Sequence, residues 1–597
     1  MIKHIKQNRY LYCILLVAFF LRLYDLDRES IWLDEAGTSN TSSMSFNVMI
    51  DHIMSYDVHP PLYYIFMHYW KIFLNDTEFS LRFPSVLFGL ICIVYVYRIA
   101  RRLFDERVAL FSAVFLAVSP FHIHYSQEAR SYSLLAALIS ISMYYFLRIL
   151  SHGSDTITPM LSHTDGGERE KKNESLCIQS ETVDVNSNNH NPTTYSNPSY
   201  NPNPNPNPNP NPNPNPNPNP NPNPNPNQNQ NEGAGQRLAA ESGSWKDRKY
   251  FYLYITSTAL SLYCHNFSVF YWFAQNILFL FFWYHFKSSL SFKKWLLIQA
   301  GVVIALLPYF PMLAYQMKGS PVMLDWIQKP TFQSLFLTLI EFCGGFTTSH
   351  SGIDFSRFDY SFSIIFAFFG FFFSILSVFS ISELNRQSPS ESAFLARDYK
   401  LSVGNKSGFA WVFCFIWFIS GILLPFVASW LYLPIYVTRC SIASQIPMII
   451  LFAAGANQFF RYFPMIAFCF LIICNLFDCH TYYRKQTKSS WSGATGYLEQ
   501  KARKNDLVLF DADFAQIAFD YYSRKAFLRK KPFPNNFQTL GELKELLKEL
   551  VKNEKRIWLV TAHSQDRKDV FPAMLSQYLT LNTRRDFFGI TVRLFEK

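Results

Sequence analysis

Apolar segments near twenty residues long recur through most of this chain. That is the length an α-helix needs to cross a hydrocarbon core about 30 Å thick. Candidates lie near 10 to 26, 83 to 100, 108 to 125, 131 to 150, 249 to 265, 267 to 285, 294 to 316, 361 to 381, 408 to 432, 441 to 459 and 463 to 479. They predict a polytopic all-α membrane protein with about 11 transmembrane helices, within a range of roughly 9 to 13. Several are hydrophobic nearly all round, as in Phe362 to Ile381 around Phe368-Phe369-Gly370-Phe371-Phe372-Phe373, a pattern suited to helices that face lipid and one another. Pro61 to Leu74 is apolar but short and carries His68 and Lys71, so it is expected as a helix lying at the membrane surface. Phe332 to Phe346 is ambiguous between the two.

Lys and Arg in short loops set the orientation. Lys3, Lys6 and Arg9 precede the first span, and Arg98, Arg101, Arg102 and Arg107 crowd the loop after the second. Later clusters, from Lys287 to Lys294, from Arg386 to Lys406 and at Arg461, fall on the same side if the span count holds. The N-terminus is therefore expected in the cytoplasm. The Asp34 loop, the turns near Glu128 and His265, the loop from Lys318 to Tyr360, Arg439 and the C-terminal tail are expected outside it. The net charge of +11 is then a topology signal. With no basic stripe interleaved with aromatics, nucleic acid is excluded as a partner, and the bilayer is the expected surroundings.

Most of the ten cysteines sit inside spans without ligand spacing, so neither a disulfide framework nor a zinc site is readable. The first span lacks a small-residue cleavage site and reads as an anchor.

Four parts follow. Residues 1 to 150 form an N-terminal membrane part, and 151 to 248 a polar insert with an Asn-Pro repeat from Asn201 to Pro226. That insert has nothing to bury and reads as a dispensable disordered cytoplasmic loop. Residues 249 to 480 form a second membrane part, and 481 to 597 a soluble extracytoplasmic domain. Within the last, Leu507 to Phe510 and Ile557 to Thr561 read as buried strands, with a helix from Leu540 to Lys552 between them, which predicts a small α/β domain. Asp511 and Asp513 at a strand end are read mainly as surface carboxylates.

The chemistry concentrates in the loops. Ile31-Trp32-Leu33-Asp34-Glu35-Ala36 sets two adjacent carboxylates at a membrane mouth, where desolvating them is expensive unless a wet cavity, a partner or a task compensates. His59-Pro60-Pro61-Leu62-Tyr63-Tyr64 stops one element and starts the surface helix with His59 at its mouth. Leu81-Arg82-Phe83-Pro84-Ser85 puts a guanidinium at a span end, and Ser126-Gln127-Glu128-Ala129-Arg130-Ser131-Tyr132 adds another carboxylate and another guanidinium. Singly, Arg82 and Arg130 read more readily as helix-end anchors and His59 as an interfacial histidine, and Asp34 reads also as a cap or an ion-pair member. Their order and spacing carry the functional reading.

In that order and spacing the chain resembles the GT-C-fold glycosyltransferases that use polyprenyl-phosphate sugars, the group containing protein O-mannosyltransferases and the lipid A aminoarabinose transferase. The resemblance runs from about Tyr10 to Leu150, resumes at Tyr263-Cys264-His265-Asn266-Phe267 and continues weakly through Asp325-Trp326-Ile327 and Arg439. It leaves out the insert and the C-terminal domain. It implies transfer of a sugar from a polyprenyl-phosphate donor to a hydroxyl acceptor on a protein, lipid or glycan, at the extracytoplasmic face of the cell membrane, with inversion. It implies that Asp34 is the general base, with Glu35 orienting it or touching a substrate. Arg82, Arg130 and, third, Arg439 are candidates for the leaving phosphate, because a guanidinium pairs phosphate bidentately. His59, Glu128, Tyr132 and His265 complete the expected substrate site. In some relatives a divalent metal (Mg, Mn or Zn) bridges carboxylates and phosphate, and here Asp34, Glu128 and His265 would be its ligands. The competing reading is a transporter or flippase of lipid-linked sugars, against which stand the clustering of polar residues at span ends and the lack of an internal repeat.

Overall fold

The computed structural model describes residues 8–151, 248–286, 290–344, 361–387, 403–459, 464–533, 539–562 and 570–597. The Asn-Pro repeat and the rest of the insert from 152 to 247 lie outside them. The chain opens with α1 (Arg9–Leu23), then three short helices, α2 (Leu33–Ser43), α3 (Phe46–Tyr56) and α4 (Leu62–Phe73), all before the long α5 (Glu78–Leu103). A bent pair, α6 (Glu106–Ala117) and α7 (Pro120–Ser126), leads to α8 (Tyr132–Ser151). The second membrane part contributes α9 (248–264), α10 (Ser268–Phe286), α11 (Phe292–Leu306), α12 (Phe310–Met323) and α13 (Phe332–Phe342). It ends with α14 (Ser361–Gln387), α15 (Val403–Leu431), α16 (Ile442–Phe459) and α17 (Pro464–Arg484).

Helix occupies every segment anticipated as a span, and the expected surface helix is α4. Among the described residues, however, six helical stretches are long and apolar enough to cross a membrane, or seven counting the α6–α7 pair, bent by 60°. The difference has a physical basis. The first helix is only 15 residues long. α10 carries Gln275 and Asn276, which lower its apolarity yet are matched inside the bundle: Gln275 donates to Ser142 Oγ at 2.7 Å, and Asn276 accepts from Trp295 Nε1 at 3.0 Å. This is the make-up of an integral membrane protein.

Two irregularities near the first loop are compensated by side chains. Pro84 inside α5 has no N–H to give to the carbonyl of Ser80, one turn earlier, and Trp70 Nε1 donates to that oxygen instead at 2.9 Å. The break between α6 and α7 frees the carbonyls of Leu116 and Ala117, and buried Arg22 of α1 donates to both, at 3.1 and 2.9 Å. α5 comes close enough to meet this group only because residue 89 is glycine: a Cβ there would lie 2.4 Å from Ser126 Oγ and 3.2 Å from Arg22 Nε.

After α17 comes a small α/β unit: α18 (Trp491–Lys501), β1 (Leu507–Phe510), α19 (Ala515–Tyr522), β2 (Arg529–Pro532), α20 (Leu540–Lys552), β3 (Arg556–Ala562), α21 (Val570–Leu575), β4 (Thr580–Phe587) and β5 (Ile590–Glu596). Its five strands are ordered β2-β1-β3-β5-β4, with β1 parallel to β2 and β3, and β5 antiparallel to β3 and β4. Alternation sorts the faces. Leu507, Leu509, Ile557 and Leu559 pack with Leu543 and Leu547 of α20, whereas Val508, Phe510, Trp558 and Val560 lie in the larger core with Trp491 and Phe519.

The two expected strands and the helix between them are present, but the order is richer than anticipated. β2 reads Arg-Lys-Lys-Pro because it is an edge strand, where charge and proline block further pairing. Asp511 accepts the Ala562 N–H at 3.1 Å, tying β1 to β3.

Candidate active site

α2 starts directly after an extended Trp32, so Asp34 and Glu35 occupy its first turn, where the helix N-terminus favours negative charge. Neighbours on a helix point about 100° apart. The two carboxylates accordingly have different surroundings.

Glu35 is completely buried. Its Oε1 accepts from Arg82 Nε at 2.8 Å, the Ala129 N–H at 2.9 Å and Lys488 Nζ at 3.1 Å; its Oε2 accepts from Arg82 Nη2 at 2.7 Å. Burial pushes its pKa up, but the charges of Arg82 and Lys488, the Arg82 hydrogen bonds and the Ala129 N–H outweigh it and hold the carboxyl down at about 2. Arg82 is equally committed. Its remaining N–H groups go to the carbonyls of Leu26, Glu29 and Ser30 at 2.8 to 2.9 Å, which uses all the donors a guanidinium has. Arg82 therefore has nothing left for a phosphate, and Glu35 has no exposed oxygen for a substrate. The pair instead pins the α1–α2 loop to α5, and both expectations are corrected.

Asp34 remains about one-quarter exposed, and its Oδ2 lies 3.5 Å from Nη2 of Arg439. Arg439 sits in the 3-10 turn Thr438–Ser441 that opens α16. Its guanidinium stands 5.9 Å from the ring centres of Trp32, Tyr132 and Trp326, and its Nε is buried without a hydrogen-bond partner. Aromatic rings hold the cation without consuming its donors. Tyr132, almost fully buried at the start of α8, is thus a wall of this pocket.

A second arm runs through His59. Asp57 Oδ1 lies 2.7 Å from His59 Nδ1, and Tyr64 donates to Asp57 Oδ2 at 2.5 Å. Arg130 Nη2 lies 3.2 Å from His59 Nε2, so the imidazole carries its proton on Nδ1 and gives it to Asp57. Arg130 also donates to Thr38 Oγ1 at 3.2 Å, and its Nε is buried without a partner. Burial works against the Asp57 charge, yet His59, Arg130 and Tyr64 hold its carboxyl far below the usual range.

His265 packs against this arm, its ring centre 5.6 Å from that of His59 and 6.0 Å from that of Tyr132. Its Nδ1 accepts the Phe267 N–H at 3.1 Å, which leaves the proton on Nε2, a buried atom with no partner. Burial, reinforced by the Arg130 and Arg439 charges, keeps it neutral. Glu128 is buried with Oε2 3.8 Å from His124 Nε2, while Oε1 has no partner. Burial, partly offset by Lys488 and reinforced by Glu35, pushes its pKa up to about 7.

Asp34, His59, Arg130, Tyr132, His265 and Arg439 are thus linked by contacts, with Glu128 electrostatically coupled to Asp34 and Arg439. Asp57, Lys488 and Trp326 were not among the expected site residues. Asp57 stands two residues before His59 and could have been found there. Lys488 lies among ordinary basic residues after a helix end and carries no local signal. Among the described residues no three His, Cys, Asp or Glu side chains are grouped to hold a metal, so Asp34, Glu128 and His265 do not form the anticipated ligand set.

Residues 58–160 match the family model described as dolichyl-phosphate-mannose-protein mannosyltransferase. No curated protein matches the chain. Among solved structures, the crystal structure of ArnT from Cupriavidus metallidurans in the apo state is similar with a TM-score of 0.53 at 12% identity, covering 99% of this chain and 98% of that one. The apo oligosaccharyltransferase of Archaeoglobus fulgidus gives a TM-score of 0.48 at 10% identity, over 95% of this chain and 70% of that one. The helical architecture with its appended sheet shares its fold with that ArnT structure.

Proposed function

We propose that the chain is a membrane glycosyltransferase that moves a sugar from a polyprenyl-phosphate donor to a hydroxyl acceptor at the extracytoplasmic face of the cell membrane. The observation that carries the reading is the division of labour in the acidic pair. Glu35 is locked among cations, while Asp34 stays open beside an arginine with donors to spare. The match of residues 58–160 to the mannosyltransferase model supports the same reaction class.

In this reaction Asp34 takes the proton of the acceptor hydroxyl as its oxygen attacks the anomeric carbon. General-base assistance of this kind is worth about 10²- to 10⁴-fold. The bond from the anomeric carbon to the phosphate oxygen breaks, and a single displacement inverts the configuration. Charge that grows on the leaving phosphate is met by Arg439 and Arg130, each with a buried unpartnered Nε, and by the Nε2–H of His265. The Asp57–His59 arm keeps Arg130 in place. Among the described residues Asp34, Glu128 and His265 do not assemble a divalent-metal ligand set. A flippase would have less use for an open carboxylate beside fixed phosphate donors at one end of the bundle.

The test is donor turnover. Purified wild type and Asp34→Asn are assayed in nanodiscs with labelled polyprenyl-phosphate sugars and acceptor extract, following release of polyprenyl phosphate. Release by wild type alone is expected. A donor left unbroken there, and carried across the bilayer by the same protein in sealed proteoliposomes, would replace the transferase with a transporter.

A further inference from the structure

At the far end of the same helices lies a second cavity, of about 730 Å³, between α1, α5, α8 and α9. α5 spans the separation: Arg82 and Arg98 are sixteen residues apart, about 24 Å along a helix. One side of the cavity is basic, lined by Arg98, Arg101, Arg102, Arg148 and Lys249; the other is apolar, lined by Leu11, Leu15, Val94 and Leu253. We propose that this cavity binds an anionic membrane phospholipid, its phosphate headgroup among the arginines and its acyl chains along the apolar side.

Three observations lead there. Loop charges that only set orientation need not converge on a cavity, yet these come from α5, α8 and α9 into one space. The guanidinium groups are held by rings, Arg98 lying 5.2 Å from the Tyr95 ring centre and Arg148 4.6 Å from that of Tyr250, with Arg148 Nη2 donating to Tyr250 OH at 2.6 Å. The carboxylate of Glu106 lies beside the cluster and is taken up by Arg101 at 2.8 Å and by the Tyr97 hydroxyl, and among the described residues no carboxylate pairs with Arg98 or Lys249. The pairing of a basic end with an apolar wall selects an amphiphile over a soluble phosphate. Tyr12, half exposed at the rim, and neighbouring exposed Leu16 and Val17 continue that wall onto the outer surface of α1.

The experiment is native mass spectrometry of the full chain in detergent with phosphatidylglycerol or phosphatidylcholine added. Phosphatidylglycerol is expected to bind about 25-fold tighter, Arg98 and Lys249 each contributing about fivefold. Arg98→Gln with Lys249→Gln removes the preference, while Lys293→Gln with Lys294→Gln, on exposed positions of α11 outside the cavity, keeps it. On wild type alone, a photoactivatable phosphatidylglycerol labels α1 and α9 next to the cavity. Equal binding of the two lipids, labelling elsewhere, or equal loss in both double variants overturns the proposal. Displacement of the lipid by millimolar inorganic phosphate does so too, since the site would then belong to a soluble phosphate.

Discussion

Lys488 Nζ lies 3.1 Å from Glu35 Oε1, which joins the segment after the last membrane helix to the acidic pair of the first loop. The same ammonium donates to the Gln127 carbonyl at 2.9 Å, so one residue outside the bundle clasps two of its loops. Burial and the neighbouring Arg82 charge lower the Lys488 pKa, and Glu35 and Glu128 oppose them. The site is therefore not a property of the membrane part alone.

Glu35→Gln leaves the buried charges of Arg82 and Lys488 without their counterion, and a loss of about 3 to 5 kcal/mol is expected. With a folded pKa of about 2, below the usual carboxylate value, Glu35 contributes its stability above pH ~4.5 and loses it as the pH falls toward 2. Thermal unfolding in detergent at pH 7 reads the loss; an unchanged Tm refutes the pinning role.

Asp34→Asn keeps the size and helix position of a side chain that Glu35 does not depend on. Transfer is expected to fall by about 10² or more with Tm unchanged. Retained turnover with normal folding removes Asp34 as the base.

Arg439→Gln is expected to lower kcat/KM by about 10²- to 10³-fold with little loss of stability, because its donors are not spent within the fold. Arg82→Gln has the opposite profile, a protein that unfolds early. Measured side by side, the two variants separate an arginine with an unspent donor from one whose donors are all spent in the fold.

Glu128 carries a pH signature. Its folded pKa of about 7 lies above the free value, so the native state holds this proton more tightly than the unfolded chain. That contribution is complete below pH ~4.5 and is lost as the pH rises through 7, by about 3 kcal/mol in total. Glu128→Gln should therefore raise Tm at pH 8 relative to wild type and leave the gap small at pH 5. Parallel Tm curves would show that Glu128 is not a buried carboxyl of this kind.

The motifs from Asp34 to Tyr132, with His265 and Arg439 added by the family resemblance, name residues that the structure links by contacts. They were not enough to assign jobs. Arg82 and Arg130 look alike as helix-end guanidiniums, and only the three carbonyls of the α1–α2 loop, held by tertiary folding, show that the first is saturated. Lys488 was invisible for a related reason: its partner is 453 residues away. β2 escaped notice because an edge strand needs no apolar alternation.

Arg22 has an implication for how the chain is made. The carbonyls it satisfies lie 94 and 95 residues further along, at the bend between α6 and α7. A ribosome delivers the guanidinium first, when only the Ala18 carbonyl of its own helix among its acceptors has been synthesised. Until α6 arrives, Arg22 lacks most of the partners that satisfy it in the folded protein. The hydrogen bonding of the first helix is then complete only once α6 and α7 have formed, and assembly of the N-terminal part is a concerted event across these helices.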